Sequence, residues 1–381
     1  MERKILKEEH DIFRRSLKKF LEREAVPFIR QWEDDKQVSR SFWKKVGEQG
    51  YLCPGLDEKY GGANADFGFS VVISEEFDKV SVGLVGFGLH SDIVIPYIDS
   101  YGTEEQKERW LPGAVNGDLI SAIAMTEPGT GSDLAAIQTT AVKDGDDYIL
   151  NGEKTFISNG YLADLVVVVC KTDPHATPPH KGISLIVVEA GTPGFSKGKK
   201  LNKIGQHASD TTELIFDDAR VSAHNLLGEE GKGFYYLMDK LQQERLIVSI
   251  QSIASAETML NQTIEYVKQR KAFGRSISKF QNTQFKIAEL KTEMEIGRNF
   301  VDRLIEEHMA DKRIETEVSM AKWWTTDLAK KVAGECLQLH GGYGYIEEYE
   351  IARRFRDVAV SSIYAGTNEI MKQIIAKKME L

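Results

Sequence analysis

The amino-acid sequence predicts an α+β fold. A middle antiparallel β domain, residues 119–228, lies between an N-terminal α-helical domain, residues 1–118, and a C-terminal α-helical bundle domain, residues 229–381. Apolar residues recur at helical spacing in both outer parts, whereas short β-branched runs and turn dipeptides fill the middle. A chain of 381 residues has room for two or three domains. Because domain junctions leave clefts, we expect ligands to bind where the domains meet.

The N-terminal part is predicted to be helical because apolar side chains recur at helical spacing between Phe13 and Leu21. Residues 67–80 predict a further helix. Gly86 and Gly88 then weaken helix propensity. Two explanations of these glycines stay open: they let helices pack closely, or they leave room for a ligand.

The middle part contains strong hairpin signals. Asp144-Gly145 and Asn151-Gly152 each predict a tight turn between two strands. The β-branched runs at residues 165–169 and 183–188 predict buried strands. The spacing of these segments predicts a compact antiparallel β domain.

The C-terminal part returns to helical spacing. Apolar residues hold one face from Leu246 to Val267, and another from Ile287 to Leu304. Helices of this length suit an antiparallel bundle.

Composition narrows the class of protein. Lys and Arg total 49 against 58 Asp and Glu, a net charge of −9, which argues against nucleic acid as a partner. Three widely spaced cysteines form no metal pattern and indicate reduced thiols. The first residues resemble neither a signal nor a transit peptide, and no apolar run approaches the roughly 20 residues of a membrane helix. We therefore expect a cytoplasmic protein with no membrane span and no metal site.

The most informative segment is Thr126–Asp133, which combines a proline, glycines and hydroxyl side chains in one short loop. Such a loop can bring backbone N–H groups and hydroxyls onto one polar ligand, although alone it is also compatible with an ordinary turn. The chain contains no dinucleotide fingerprint, Walker loop, nucleophile elbow or zinc-protease motif.

Two segments of the C-terminal part have both a structural and a functional interpretation. The run from Gln338 to Gly344 is typical of a helix C-cap and turn, or it presents backbone to a flat or phosphate-bearing ligand. The run from Arg270 to Arg275 carries three cations, which suit a solvated helix end or a pyrophosphate clamp.

Taken in order along the chain, six separated segments resemble the acyl-CoA dehydrogenase family, and within it most closely the long-chain branch. These segments are Thr126–Asp133, Lys203–Leu214, Phe216–Val221, Gln269–Gly274, Gln338–Gly344 and Tyr364–Glu369. The resemblance implies a helical N-terminal domain, a middle β domain and a C-terminal four-helix bundle. It further implies FAD held between the β and C-terminal domains, and a homotetramer.

The resemblance also implies which residues meet the ligands. Phe156 and Ser158 would cover the isoalloxazine ring of FAD, although many relatives carry Trp at the position of Phe156. The residues expected at FAD are Met125, Thr126, Ser132, Phe156, Ser158, Arg270, Phe273, Gln281, Gln338, Leu339, Gly341, Gly342, Thr367 and Glu369. The members of this set from Arg270 to Gly342 would reach FAD across a subunit boundary. The residues expected at the acyl-CoA substrate are Ser132, Tyr235, Gln242, Arg245, Ala365 and Gly366.

The catalytic base needs separate identification, because a thioester α-proton is removed only by a desolvated carboxylate with a raised pKa. Medium- and short-chain relatives carry a glutamate at the position of Ala365, so this chain lacks that base. Long-chain and isovaleryl relatives carry it in a Glu-Arg-Leu sequence, which here begins at Glu244. Two alternatives remain: Glu244 is an ion-paired surface residue, or Glu369 is the base.

The resemblance implies FAD-dependent α,β-dehydrogenation of an acyl-CoA thioester to a trans-2-enoyl-CoA. Glu244 would abstract the α-proton, flavin N5 would accept the β-hydride, and an electron-transferring flavoprotein would take the electrons. A long-chain substrate is expected. The alternatives are a branched short-chain, isovaleryl-type enzyme, a flavin oxidase or monooxygenase on the same scaffold, and a non-enzymatic protein that retains the flavin scaffold.

Overall fold

The computed structural model describes residues 3–381 as helices, then a sheet, then helices, which confirms the predicted α+β fold. Helix gives way to strand between Val115 and Ser121, and strand to helix between Ser222 and Gly233. The domain boundaries at 118/119 and 228/229 stay predictions.

Three of the seven N-terminal α-helices begin at a capping side chain, namely Ser39, Asp66 or Thr103. The helix at Phe67 begins there because the Asp66 carboxylate accepts from the Gly68 N–H at 2.9 Å. Its bounds coincide with the helix predicted at residues 67–80. The helices of this part are α1 (Glu8–Glu24), α2 (Ile29–Asp35), α3 (Arg40–Glu48), α4 (Phe67–Val80), α5 (Val85–Gly88), α6 (Ile95–Tyr101) and α7 (Glu104–Val115).

The middle part is a sheet with the strand order β1-β4-β2-β3-β7-β6 and with β5 also paired to β4. Its strands are β1 (Ser121–Ala124), β2 (Thr140–Asp144), β3 (Asp147–Ser158), β4 (Leu165–Lys171), β5 (Ile183–Glu189), β6 (Phe195–Lys197) and β7 (Thr211–Ser222). Most neighbours are antiparallel, as predicted, but β1 runs parallel to β4 with Ser121 opposite Leu165. A parallel pair needs a long connection, and here β2 and β3 lie between the two strands in sequence.

One of the two predicted hairpin turns is confirmed and the other is wrong. Asp144 pairs with Asp147 across the Gly145 turn that joins β2 to β3. Asn151-Gly152 instead lies inside β3, at a shift of register against β7. The Asn151 side chain there bonds with Asp218 on β7, and Gly152 adopts a φ of 145°. Pairing along a twelve-residue strand has overridden the local turn preference, and the dipeptide forms a bulge.

The C-terminal part is a bundle whose helices carry the predicted apolar stripes. Its core contains Leu246, Ile250, Leu290 and Leu328, all buried. The helices are α8 (Gly233–Gln269), α9 (Gln281–Met309), α10 (Glu315–His340), α11 (Glu350–Asp357) and α12 (Asn368–Lys378), with a short ladder of β8 (Lys271–Ala272) and β9 (Arg275–Ser276) between α8 and α9.

The helical parts join where α4 packs against α8, and Val71 of α4 belongs to the C-terminal core. The two glycines near this junction have different explanations. A Cβ on Gly86 would lie 2.3 Å from Asn159 Oδ1, so Gly86 permits close packing. Gly88 borders a cavity and faces the amide of Gln251.

Two expectations from composition can be compared with the structure. Cys53, Cys170 and Cys336 are buried free thiols, as expected. None of the helices in residues 3–381 combines the length and the apolar character that a bilayer crossing requires.

Candidate active site

Glu244 lies on α8 where that helix passes from the surface into the protein. Tyr235 and Met238 are exposed, whereas every residue from Glu244 to Ile250 is buried. Glu244 is 8% exposed, and its Oε2 atom has no hydrogen-bond partner. No Lys, Arg or His nitrogen of residues 3–381 lies within 4.0 Å of its carboxylate. Native structures rarely leave a buried carboxylate oxygen unpaired, so Glu244 is a candidate functional group rather than an ion-paired surface residue.

Burial sets the electrostatic state of this carboxyl. It raises the pKa of Glu244 to about 7, against the opposing charges of Arg245 and Lys322. Burial disfavours the charged form of a carboxyl group, and nearby cations favour it. A general base works best when its pKa lies near the working pH. The environment of Glu244 therefore suits proton abstraction.

Tyr97 is a second buried group at this place that the sequence did not reveal. It lies on α6 with no exposed surface, and its Oη atom has no hydrogen-bond partner. Burial and then the charge of Glu244 raise the pKa of Tyr97, so the hydroxyl group of Tyr97 is sensitive to the charge of Glu244. No motif surrounds Tyr97, so only the packing of α6 near α8 identifies it.

The loop that contains Ala365 and Gly366 is held to the bundle. Lys322 of α10 donates to the Gly366 carbonyl at 2.7 Å and to Asn368 Oδ1 at 3.2 Å. Burial and the charge of Arg245 lower the pKa of Lys322 to about 8. Ala365 adopts a φ of 54° and supplies no carboxylate. Lys322 thus connects this loop to the electrostatic environment of Glu244.

Glu369, the competing candidate for the base, has a different environment. It is exposed and lies in the first turn of α12, where a carboxylate favours the helix N-terminus. Thr367 is the N-cap of the same helix, and its hydroxyl accepts from the Ile370 N–H at 3.3 Å. An exposed carboxyl lacks the desolvation that a base for a thioester α-proton needs.

The Thr126 loop is fixed to the sheet by a buried ion pair. Lys154 Nζ lies 2.9 Å from Glu127 Oε1 and donates to the Met125 carbonyl at 3.1 Å. The Thr155 N–H donates to the Thr126 carbonyl at 2.9 Å. These bonds bring the start of the loop beside the end of β3, while Ser132 stays exposed.

Phe156 offers an aromatic surface next to that loop. Its side chain is 68% exposed and its φ is 59°, at a register shift between β3 and β7. Ser158, two residues on, is half-buried and pairs with Thr211. A large exposed apolar ring on a strained backbone is a feature that a functional explanation suits. The ring beside hydroxyl and backbone groups fits one face of a flat heteroaromatic group such as the isoalloxazine of FAD.

The C-terminal residues expected at FAD form a second, separate exposed group. Arg270 stacks over the Tyr343 ring at 5.3 Å, and Phe273 at the tip of the β8–β9 turn is 95% exposed. Gly341 ends α10 with a φ of 60°, as a C-cap residue. The other members, Gln281, Gln338 and Gly342, are exposed and Leu339 is half-buried. Among residues 3–381, no ring contact or side-chain hydrogen bond joins this group to Phe156.

The residues expected at the substrate fall into different environments. Tyr235 is exposed near the start of α8 and packs against the His180 ring. Arg245 is 4% exposed, and its Nε atom has no partner. Gln242 is engaged elsewhere: its amide accepts from the Ile314 N–H at 2.8 Å and donates to the Lys312 carbonyl at 3.0 Å. Through these hydrogen bonds, Gln242 links α8 to the connection between α9 and α10.

The chain matches three family models in order along its length. These are the N-terminal domain of acyl-CoA dehydrogenase at residues 7–118, the middle domain at residues 122–219 and the C-terminal domain at residues 231–380. Together these three matches include the candidate site residues described above.

Whole-chain relatives agree with these matches. The mitochondrial long-chain specific acyl-CoA dehydrogenase of Sus scrofa is 49% identical over 99% of this chain and 88% of its own length. The mitochondrial isovaleryl-CoA dehydrogenase of Pongo abelii is 36% identical over 98% and 89%. The crystal structure of an acyl-CoA dehydrogenase from Geobacillus kaustophilus superposes with a TM-score of 0.99 at 66% identity, covering 100% of both chains. The protein therefore belongs to the acyl-CoA dehydrogenase family, whose members are oxidoreductases.

Proposed function

We propose that this protein dehydrogenates an acyl-CoA thioester between its α- and β-carbons, giving a trans-2-enoyl-CoA, with Glu244 as the base. The observation that carries the proposal is the Oε2 atom of Glu244, which is buried and unpaired in a carboxyl whose pKa burial raises to about 7. The position of Ala365 supplies no alternative carboxylate.

In this mechanism Glu244 takes the α-proton onto its carboxylate. Its burial excludes water, which strengthens the base toward a weak carbon acid. Arg245 and Lys322 limit the rise in its pKa, so a useful fraction stays ionised near neutral pH. FAD, when bound, supplies the oxidising equivalent that removes hydrogen from the β-carbon.

The cofactor would be held by the Thr126 loop and the Phe156 ring of one chain. We infer that Arg270, Phe273, Gln281 and the Gln338–Gly342 segment come from a second chain, because they are mostly exposed and make no ring contact or side-chain hydrogen bond with Phe156. A homotetramer would bring the two groups together. An electron-transferring flavoprotein is the proposed electron acceptor, as the resemblance implies.

We propose a long-chain substrate, because the long-chain relative is 49% identical and the isovaleryl relative 36%. Anaerobic flavin reduction by acyl-CoAs of increasing length, with isovaleryl-CoA included, tests this choice. Reduction that is fastest with isovaleryl-CoA would favour the branched short-chain alternative. Rapid peroxide formation in air would favour an oxidase.

The base is tested with Glu244→Gln, which keeps the shape and removes the charge. The variant should bind FAD and acyl-CoA but reduce flavin at least ~100-fold more slowly, the scale of a general-base contribution. Glu369→Gln is the matched control and should reduce flavin at nearly the wild-type rate. Near-normal reduction by Glu244→Gln would show that another group removes the proton.

A further inference from the structure

A cavity lies between α4 and α8, beyond Glu244 along the bundle. We call it the chamber, and its lining includes Ser74, Asp78, Gly88, Gln251, Ser255 and Tyr364. Its volume is about 30 Å³. A water needs roughly 10–15 Å³ of such space, so the chamber has room for about two or three groups of that size.

Two hydroxyl groups of the chamber have no hydrogen-bond partner. Ser74 is 3% exposed and Ser255 is 2% exposed, and the Oγ atom of each is buried and unpaired. Buried polar groups are normally satisfied, and an exception calls for an explanation.

Other serines at this junction are satisfied from within their own helices. Ser252 and Ser361 also line the chamber, and each donates to a backbone carbonyl at 2.7 Å. Ser249, one turn nearer to Glu244 on α8, donates to the Arg245 carbonyl at 2.8 Å. Among the serines of residues 3–381, only Ser74 and Ser255 have a buried Oγ atom without a partner, and both line the chamber, which suits a polar ligand group there.

The chamber lies on the face of α8 that carries Glu244. Gln251 and Ser255 follow Glu244 by seven and eleven residues, which are close to two and three full turns, so all three project from nearly the same face. Ser255 lies about 16 Å from Glu244 along the helix axis at 1.5 Å per residue. A Cβ on Gly88 would come within 3.1 Å of Gln251 Nε2, so the glycine keeps this side of the chamber open.

The direction of an acyl chain at Glu244 follows from burial. α8 is exposed around Tyr235 and Met238 and buried beyond Glu244. The polar CoA part suits the exposed end, and the apolar tail suits the buried end, toward Gln251. An extended polypeptide backbone advances about 3.3–3.6 Å per residue and has three bonds per residue, so it advances about 1.2 Å per bond. We use the same advance for an extended acyl chain. The tail would reach Ser255 roughly 13 bonds beyond the carbon beside Glu244.

We propose that the chamber receives the far end of a long acyl chain and selects a chain that carries a hydroxyl group there. This inference rests on the proposed dehydrogenation at Glu244. A hydroxyl group both donates and accepts, so it can satisfy Ser74 and Ser255 together. A methyl end would leave both serines unpaired.

A carboxylate end suits the chamber less well than a hydroxyl. It would meet Asp78, whose pKa burial raises to about 7 against the opposing charge of Arg354. The Arg354 guanidinium is already engaged by the carbonyls of Asp78 and Lys79, at 3.0 and 2.7 Å, and by Glu350. The residues that line the chamber include no Lys, Arg or His that could pair with an added carboxylate.

The test compares three acyl-CoAs of about sixteen carbons, the length that reaches Ser255. They end in a methyl, a hydroxyl or a carboxyl group. With the FAD-loaded enzyme, the rate constant of anaerobic flavin reduction divided by the apparent Kd should be about 5- to 10-fold higher for the hydroxyl chain than for the other two, the scale of one or two hydrogen bonds. A pair of chains of about six carbons, with and without the hydroxyl, should show no preference because neither reaches the chamber.

Ser255→Ala and Ser74→Ala should each lower the preference for the hydroxyl chain while leaving the methyl chain at least as reactive. Ser249→Ala, the matched control on α8, should keep the preference. Calorimetry can also measure the Kd of the same three acyl-CoA thioesters on FAD-loaded Glu244→Gln, which binds them without turnover. The hydroxyl chain should bind more tightly than the methyl and carboxyl chains.

The outcomes separate this inference from the proposed function. Flavin reduction by the methyl chain with no preference for the hydroxyl chain, or with a preference for the carboxyl chain, would overturn the inference and leave the dehydrogenation standing. A wild-type enzyme whose flavin no acyl-CoA reduces would overturn both.

Discussion

Glu244 and Glu75 are both buried carboxyl groups at the junction of the helical parts, but their surroundings are opposite. Glu75 of α4 accepts from three guanidinium groups, those of Arg3, Arg14 and Arg298, at 2.6, 2.8 and 2.7 Å. Although burial alone would raise its pKa, these cations lower it to about 2. Glu244 has an unpaired Oε2 atom and a pKa raised to about 7.

The difference shows how one side chain serves stability in one place and chemistry in another. Glu75 joins the N-terminal segment, α1 and α9 through Arg3, Arg14 and Arg298. A carboxylate so fully bonded has no capacity left to take a proton. Glu244 lacks these bonds. Its unpaired, buried carboxyl group lowers the stability of the folded protein, which is common for residues of active sites.

The largest expected effect is on stability, from Glu75→Gln. Removing the charge deprives three buried or half-buried guanidinium groups of the anion that they share and leaves each with one other carboxylate, so the protein should be destabilised by about 3–5 kcal/mol. Chemical denaturation of the FAD-loaded protein at neutral pH measures the change. Glu76→Gln is the control, because Glu76 is as buried but bonds mainly to Arg14 and Lys79, and it should lose less. Equal losses in both variants would contradict the comparison.

Glu244→Gln should have the opposite effect on stability. The folded pKa of about 7 lies above the unfolded value of 4.5, so the stability present below pH 4.5 is lost as the pH rises through 7. Glutamine removes that loss. The variant should be more stable than wild type by up to about 3 kcal/mol at pH 8, and by much less at pH 5. A denaturation midpoint that falls at pH 8 would show that the carboxylate is stabilised by partners.

The pH dependence of flavin reduction should follow Glu244. Because the ionised form takes the proton, the single-turnover rate should rise as the pH rises through about 7 and then level off. Stopped-flow absorbance under anaerobic, substrate-saturating conditions measures it. A rate that is flat between pH 5.5 and 8.5 would mean that the proton acceptor titrates elsewhere.

The smallest expected effect concerns Lys322. Its charge lowers the pKa of Glu244, so Lys322→Met should move the midpoint of the pH–rate profile upward, by about one unit or less. Lys322→Arg keeps the charge and should hold the midpoint near its wild-type position. Since Lys322 also bonds with the Gly366 carbonyl, both variants can lower the rate, but only the neutral one should shift the midpoint.

Local sequence predicted some elements well and failed where pairing between distant strands decided. Asp66 caps α4, and the helix there has the predicted bounds. Asn151-Gly152 has the same local preference as Asp144-Gly145, yet it lies inside β3, because continued pairing with β7 outweighs a turn. The parallel pairing of β1 with β4 likewise has no local signal.

The sequence by itself determined the order of helices and sheet, the family resemblance, and the choice of Glu244 once Ala365 was seen to lack a carboxylate. Only the tertiary structure decided that Glu244 is desolvated and unpaired, that Tyr97 and Lys322 lie in its field, and that Gln242 is engaged elsewhere. The physical reason is that a pKa depends on burial and on charges brought close by folding, and Lys322 is 78 residues from Glu244 along the chain (322 − 244).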